Sequence, residues 1–311
     1  MPLISLVIPC YNEEKSLESL LSALQEGIRD ITGCDFEIVF VNDGSTDGTL
    51  AQLHSMAARH AGLVIVDLSR NFGKEAALTA GLDTARGDAV IPMDADLQDP
   101  PELIAKLIAE WRSGYEVVLA RREDRSQDSM AKRLSSRWFY RVHNLVSEVD
   151  LPEDVGDFRL MDRVVVEALK LLPENRRFMK GIFAWVGFRT TVVSYARAQR
   201  QTGSSRFNAW RLWNLALEGI TSFSISPLRI WTYVGVMVAL IALGWGAWIV
   251  VRTLVHGIDV PGYASVFVAV LFLGGLQLIG IGVIGEYLGR NYLESKRRPA
   301  YIIRNITRHG G

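Results

Sequence analysis

Cysteine is nearly missing from this chain of 311 residues. Only Cys10 and Cys34 occur, which excludes a disulfide framework, and no Cys/His cluster has zinc spacing. An excess of charge of either sign is missing too. Lys plus Arg and Asp plus Glu both number 34, so nothing points to nucleic acid as a partner. The opening residues Met1–Pro9 carry no basic stretch leading into an apolar core, so no secretory signal is expected. The GxGxxG and GxxxxGK[ST] spacings are absent, which disfavours dinucleotide and P-loop chemistry. There is no internal repeat and no low-complexity segment. Before Ile230 no apolar run is long enough to cross a bilayer.

What is present is an alternation of short apolar runs with amphipathic stretches over the first 120 or so residues. The runs Leu3–Pro9, Phe36–Val41, Leu63–Leu68, Ala89–Met93 and Glu116–Ala120 read as strands. Cys10 follows the first, so a reduced, buried thiol is expected. Glu14–Arg29 reads as a helix with Leu17, Leu20, Leu21 and Leu24 on one face. Thr49–Arg59, Glu75–Thr84 and Glu102–Trp111 read as further helices. Strand–helix alternation at this period implies crossover units, hence an α/β fold with a mostly parallel sheet. Ligands bind such sheets at the carboxyl ends of the strands. Four polar loops fall there: Tyr11-Asn12-Glu13, Asp43-Gly44-Ser45, Ser69–Lys74 and Asp94-Ala95-Asp96.

Asp94 and Asp96 carry the most pointed chemistry. Two carboxylates two residues apart share one side of an extended backbone, and their repulsion is relieved by a divalent cation. Mg²⁺ or Mn²⁺ prefers oxygen ligands and shares them with substrate phosphates. Gln98 has an amide oxygen to add. Asp99, followed by Pro100, Pro101 and Glu102, has the pattern of a helix N-cap. Asp43 is placed to accept from a base or ribose hydroxyl, and Asp47 or Ser45 to cap the next helix. Farther on, Leu134, Trp138, Val142 and Leu145 share one helical face within Ala131–Glu148, with Arg133, Arg137 and Arg141 on a neighbouring stripe. Arg121, Arg122 and Arg125 precede them. Such a stripe suits phosphate oxygens or a membrane surface, or is a solvated charged face. Phe207–Ile225 is a second amphipathic stretch whose tryptophans favour a bilayer interface, a core or an oligomer contact.

Two uncharged apolar runs, Ile230–Val251 and Ala264–Gly285, close the chain's pattern. As helices each spans about 33 Å, enough to cross the hydrocarbon core. Glycines 274, 275, 280, 282 and 285 in the second run permit close helix packing. The loop Arg252–Tyr263 holds a single basic residue besides His256, whereas Arg290, Lys296, Arg297, Arg298, Arg304 and Arg308 follow the second run. This bias puts the tail, and with it the large N-terminal domain, on the cytoplasmic side.

The chain resembles the inverting A-type glycosyltransferases of family 2, and more narrowly the polyprenyl-phosphate glycosyltransferases that include dolichyl-phosphate mannose synthase. The segments that carry the resemblance are PCYNEE (9–14), VNDGSTDGT (41–49), RNFGKEAAL (70–78), DADLQDPPE (94–102), GDFRLMDR (156–163), RQTGSSRFNAW (200–210) and IGEYLGRNY (284–292). RNFGKE, GDFRLM, LWNLALEGITSFS and the two-span tail are most similar to the bactoprenol glucosyltransferases of O-antigen modification. The resemblance implies a cytoplasmic catalytic domain over 1–205, an amphipathic juxtamembrane helix over 206–229, spans at 230–251 and 264–285 around a periplasmic loop 252–263, and a basic cytoplasmic tail 286–311, all at a bacterial inner membrane.

It implies that Pro9, Tyr11, Glu13 and Asp43 hold the uridine of UDP-glucose, with Lys74 and Asp94 nearby. Asp96, Gln98 and Asp94 would hold Mg²⁺ or Mn²⁺ on the diphosphate. Arg200, Ser205 and Arg206 lie in the segment that closes over the donor. Arg121, Arg133, Ser136 and Arg137 match positions that bind the phosphate of undecaprenyl phosphate. Asp157 falls where the family assigns a candidate base, or it orients an arginine or the acceptor. A homo-oligomer, a tetramer among the options, is also implied. Two departures stand out: Asn42 precedes Asp43 where many relatives have a second aspartate, and position 206 is Arg where Lys is common. GDP-mannose or a UDP-amino-arabinose derivative remains an alternative donor. A processive polysaccharide synthase is disfavoured because its Gln-x-x-Arg-Trp motif is absent; a non-catalytic membrane assembly protein would not need the aspartate pair.

Overall fold

Leu3–Cys10 forms β1, and every residue from Ile4 to Ile8 is buried. A strand buried on both faces needs cover on both sides, and the computed structural model supplies it. It describes residues 1–122, 155–172, 174, 179–195, 226–256 and 262–308. Six further strands build the sheet around β1: β2 (Asp35–Asn42), β3 (Leu63–Leu68), β4 (Ala89–Pro92), β5 (Val117–Arg122), β6 (Val155–Asp162) and β7 (Thr190–Tyr195); an eighth, β8 (Ile303–Arg308), joins from the far end of the chain. Their order is β7-β5-β6-β4-β1-β2-β3-β8. The β1–β2, β1–β4, β2–β3 and β5–β7 pairings are parallel; β4–β6, β5–β6 and β3–β8 are antiparallel.

Alternation along each strand sorts the core into two layers. Ile4, Leu6 and Ile8 face α1 (Leu17–Ile28), α2 (Thr49–Arg59) and α4 (Leu103–Arg112). Val7, Val39, Val41, Val64 and Val66 face α3 (Lys74–Thr84), α5 (Arg163–Lys170) and α6 (Met179–Trp185). The helix α1 shows what holds these elements. Ser16 makes no side-chain cap, yet Leu17, Leu20, Leu21 and Leu24 are each 2% exposed or less. Burial at about 1.5–3 kcal/mol per leucine outweighs a missing cap of about 1 kcal/mol.

Two long helices follow, α7 (Ser226–His256) and α8 (Tyr263–Ser295). Both contain stretches long and apolar enough to cross a membrane, Ile230–His256 and Phe272–Ser295, almost wholly unburied. The α8 helix runs past the expected Gly285 limit to Ser295, with Arg290 paired to Glu286 at 3.0 Å. Of its glycines only Gly280 lies against α7 among the described residues. A Cβ there would collide with the Trp231 indole, while 274, 275, 282 and 285 face open space.

Two expectations are corrected. Residues 14–16 form a turn, with Ser16 donating to Glu13, so α1 begins at Leu17. Asp99 is not the cap residue of α4: it is buried and accepts the Tyr195 hydroxyl at 2.6 Å, and Glu102 takes the cap position. Within the basic tail, residues 303–308 pair with β3 and form an edge strand of the sheet.

Candidate functional site

Chain order gives the site its place. β2 and β3 lie to one side of β1 and β4 to the other, so the direction of winding reverses between β1 and β4. A crevice opens outside the carboxyl ends of the strands at such a point. The loops after β1, β2, β3 and β4 meet there.

The first two loops are laced together. Asn12 adopts φ +56°, a left-handed conformation that Asn tolerates better than most residues. Its N–H donates to the Ser45 hydroxyl at 3.0 Å and its Oδ1 accepts the Thr46 N–H at 2.8 Å. The Glu13 N–H reaches Thr49 Oγ1 at 2.9 Å, and the Glu14 carboxylate accepts the Gly48 N–H. Asp47 accepts the Thr49 N–H at 3.1 Å and so satisfies a donor in the first turn of α2, although the cap position itself is Gly48. Pro9 is half-buried and Tyr11 exposed beside this lacing.

Asp43 ties the second loop to the third. Its carboxylate is buried and accepts the N–H groups of Phe72 at 2.7 Å and Gly73 at 2.9 Å. Burial pushes its pKa up, against those two donors and the Arg70 charge. The backbones come so close that Gly44 is obligatory: φ is +61°, and a Cβ would lie 2.3 Å from the Arg70 carbonyl carbon. At Gly73, φ +99° turns the chain into α3 and makes Lys74 its first residue.

A cation at a helix N-terminus opposes the helix dipole, and two carboxylates compensate. The Lys74 ammonium lies 2.6 Å from Asp94 Oδ1 and 2.8 Å from Asp157 Oδ2. Burial works to lower the lysine pKa, but Asp157 and Asp94 outweigh it and hold the ammonium charged. The strand β4 stops at Pro92, so Asp94 and Asp96 are presented by a turn and not by extended backbone as expected. Leu97 completes that turn at φ +54°. Gln98 is buried; its backbone N–H and its side-chain amide both donate to the Asp96 carboxylate. Asp96 itself is exposed and Asp94 half-exposed, so neither points into the packed interior.

Asp157 stands near the start of β6. On the adjacent strand β5, exposed Arg121 lies opposite Val155 after a register shift between Leu119 and Arg121. Farther along β6, Arg159 is buried, 4.2 Å over the Phe183 ring, donating Nη2 to the Gly156 carbonyl while its Nε has no hydrogen-bond partner among the described residues. Burial lowers its pKa to about 10, with Asp157 opposing. Sequence reasoning missed Arg159 and the bridging role of Lys74. The run GDFRLMDR, which changes polarity at nearly every residue, was the signal for a strand that crosses the site. Arg133, Ser136, Arg137, Arg200, Ser205 and Arg206 lie outside the described residues, as do the amphipathic stretches Ala131–Glu148 and Phe207–Ile225.

Chemically, the crevice offers hard oxygen ligands beside a fixed ammonium. Among the described residues no group of three or more His, Cys, Asp or Glu side chains forms a metal cage. Two accessible carboxylates fit Mg²⁺ or Mn²⁺, which completes its shell with water and substrate phosphate.

A family model described as glycosyl transferase family 2 matches residues 5–170, and one described as the GtrB C-terminal hairpin matches 226–290. The bactoprenol glucosyl transferase of Shigella phage SfV is 55% identical over 302 residues, covering 97% of this chain and 98% of that protein. The prophage bactoprenol glucosyl transferase homolog of Escherichia coli K12 is 52% identical over 305 residues, covering 98% and 99%. The SfII prophage-derived bactoprenol glucosyl transferase of Shigella flexneri is 54% identical over 305 residues, covering 98% of each.

Proposed function

The chain belongs to glycosyl transferase family 2, and from that premise we propose that it moves glucose from UDP-glucose to undecaprenyl phosphate, releasing UDP, for modification of a cell-envelope glycan such as O-antigen. The observation that carries this reading is the convergence of Asp94, Asp96 and Lys74 in the crevice between β1 and β4. The relatives' names and the two long apolar helices support a lipid acceptor.

In this reading Pro9, Tyr11, Glu13 and Asp43 wall the uridine pocket. Asp94 and Asp96, with Gln98 bracing Asp96, hold the divalent cation, which when bound neutralises charge on the diphosphate. Lys74 supplies a fixed positive charge at the same place, and such preorganised charge is commonly the largest catalytic contribution. Arg121, with Arg133, Ser136 and Arg137, receives the acceptor phosphate; Arg200, Ser205 and Arg206 close over the donor.

An acceptor phosphate oxygen attacks the anomeric carbon as the bond to UDP breaks, and the electron pair leaves on the β-phosphate oxygen. One displacement inverts the centre and gives a β-linked lipid phosphosugar. The nucleophile needs little help: a phosphate monoester has a second pKa of about 6 and is mostly dianionic at neutral pH. Asp157, engaged by Lys74 at 2.8 Å, holds the ammonium in place and is not required to take a proton.

The long helices form a membrane hairpin in this account. Pairing of β8 with β3 supports a hairpin whose two ends emerge on one face, and the basic residues after α8 support that face being cytoplasmic. The test is a screen of UDP-glucose, GDP-mannose and UDP-amino-arabinose with purified full-length protein and undecaprenyl phosphate, reading the lipid by mass. A hexose adduct with UDP-glucose alone is expected. No lipid product with any donor, or an adduct from another donor only, overturns the proposal.

A further inference from the structure

The strand that completes the sheet arrives from beyond both long helices, and it does not pair evenly. Asn305 lies opposite Asp67 and Ile303 opposite Leu68, so Arg304 is the extra residue of a bulge. Bulges re-aim side chains, often beside functional sites. Here the guanidinium is turned onto the end of β3. Nη1 lies 3.4 Å from Asp67 Oδ2, and Nη2 donates to the Ser69 carbonyl at 2.8 Å. The Ser69 N–H in turn donates to the Ile302 carbonyl at 2.9 Å.

From there two lines run into the crevice, one through hydrogen bonds and one along the backbone of the third loop. Asp67 is buried, and its Oδ1 accepts the Asn42 side-chain N–H at 2.7 Å; Asn42 Oδ1 accepts the Ser45 N–H at 3.2 Å. That line ends in the second loop. The other passes along Ser69 to Phe72 and Gly73, whose N–H groups are gathered by Asp43, and so to Lys74. Asn42 fits this arrangement: an ionised carboxylate there would face the Asp67 carboxylate with no N–H to donate and with like charge.

We propose that Arg304 is a positioning residue for the donor crevice, setting loops 43–48 and 69–74 from the far side of the membrane hairpin. The functional half of this inference rests on the reading of those loops as the sugar-nucleotide pocket. Arg304 touches no substrate in it. It acts by fixing the ends of β2 and β3, and it makes donor binding depend on how the segment after α8 is seated.

The test uses the full chain in lipid nanodiscs with three proteins: wild type, Arg304→Ala and Tyr301→Phe. The Tyr301 hydroxyl donates to Asp83 on α3 at 2.5 Å, so removing that hydroxyl loosens the same tail at a bond outside the two loops. Hydrogen exchange is read first. Arg304→Ala is expected to speed exchange at Ser45 and over Ser69–Gly73 about three- to tenfold, while α1 stays as in wild type and Tyr301→Phe leaves those loops alone. Kinetics follow: KM for UDP-glucose rises about three- to tenfold in Arg304→Ala, with KM for undecaprenyl phosphate within about twofold. Unchanged exchange at the loops overturns the inference whatever the turnover. Faster exchange with equal changes in both KM values, or with none, overturns the positioning role. An equal donor effect from Tyr301→Phe would assign the effect to tail docking in general and overturn the role of Arg304. If wild type turns over no sugar nucleotide, the proposed reaction falls, and the exchange measurement alone still decides whether Arg304 sets the loops.

Discussion

Replacing Lys74 by Met separates the catalytic from the structural weight of the crevice. The ammonium makes two ion pairs, at 2.6 and 2.8 Å, with side chains 48%, 40% and 19% exposed. Pairs this open to water contribute about 0.2–1 kcal/mol each to stability. The fold should therefore lose less than about 2 kcal/mol, a fall in Tm below about 8 °C for a domain of this size. Transition-state charge is another matter. Losing one preorganised donor at a developing oxyanion costs about 10²–10³-fold in kcat. The same change removes a cation competing for Asp94, so Mn²⁺ should bind the Met variant more tightly. Transfer of labelled glucose into the lipid fraction, a thermal melt and the free-Mn²⁺ electron paramagnetic signal read the three quantities. Turnover within about threefold of wild type, or Mn²⁺ affinity that does not move, would refute the reasoning. A loss of activity matched by loss of the folded transition would reduce Lys74 to a structural pin.

Asp96→Asn should lower transfer by at least about 10²-fold and weaken Mn²⁺ binding by the same assays; near-normal turnover would end the metal assignment. Asp157→Asn should retain measurable activity at pH 7.5, with the acid limb of the rate profile still following acceptor ionisation near pH 6. A loss beyond about 10⁴-fold would mean a true base. Arg121→Ala and Arg133→Ala should raise KM for undecaprenyl phosphate well above any change in KM for UDP-glucose; equal changes would place neither at the acceptor. Gly44→Ala forces a Cβ against the Arg70 carbonyl carbon in a left-handed conformation. It should cost about 2–4 kcal/mol of stability, read by denaturant titration, and a variant as stable as wild type would show the two loops to be less tightly opposed.

Strands β1 to β5 and helices α1 to α4 were legible because their signal is local. Leu63–Leu68 is buried throughout, and the α1 leucines recur at helical spacing. The later strands were not legible. Val155–Asp162 interleaves Asp157, Arg159 and Asp162 with apolar residues, and Ile303–Arg308 has only two apolar residues in six. These become strands through partners far away in sequence. The candidate site divides the same way. That Asp94, Asp96 and Lys74 fall on one sheet edge followed from the order of elements. That one lysine joins Asp94 to Asp157 did not, because the bond spans 83 positions. Asp99 was misread for a related reason: a local capping pattern competed with Tyr195, 96 positions away, and the buried hydroxyl prevailed.

The outer strand also has a protective consequence. Without Ile303–Arg308, β3 would offer solvent a bare ladder of N–H and C=O groups on the sequence Leu-Val-Ile-Val-Asp-Leu, a strong template for pairing with another molecule. The strand that seals it presents Arg304, Asn305 and Arg308 instead, residues that discourage further growth of the sheet. A water-soluble version made by stopping before Ser226 would thus be expected to self-associate into aggregates, and one that splices residues 301–308 back onto the domain to remain monodisperse.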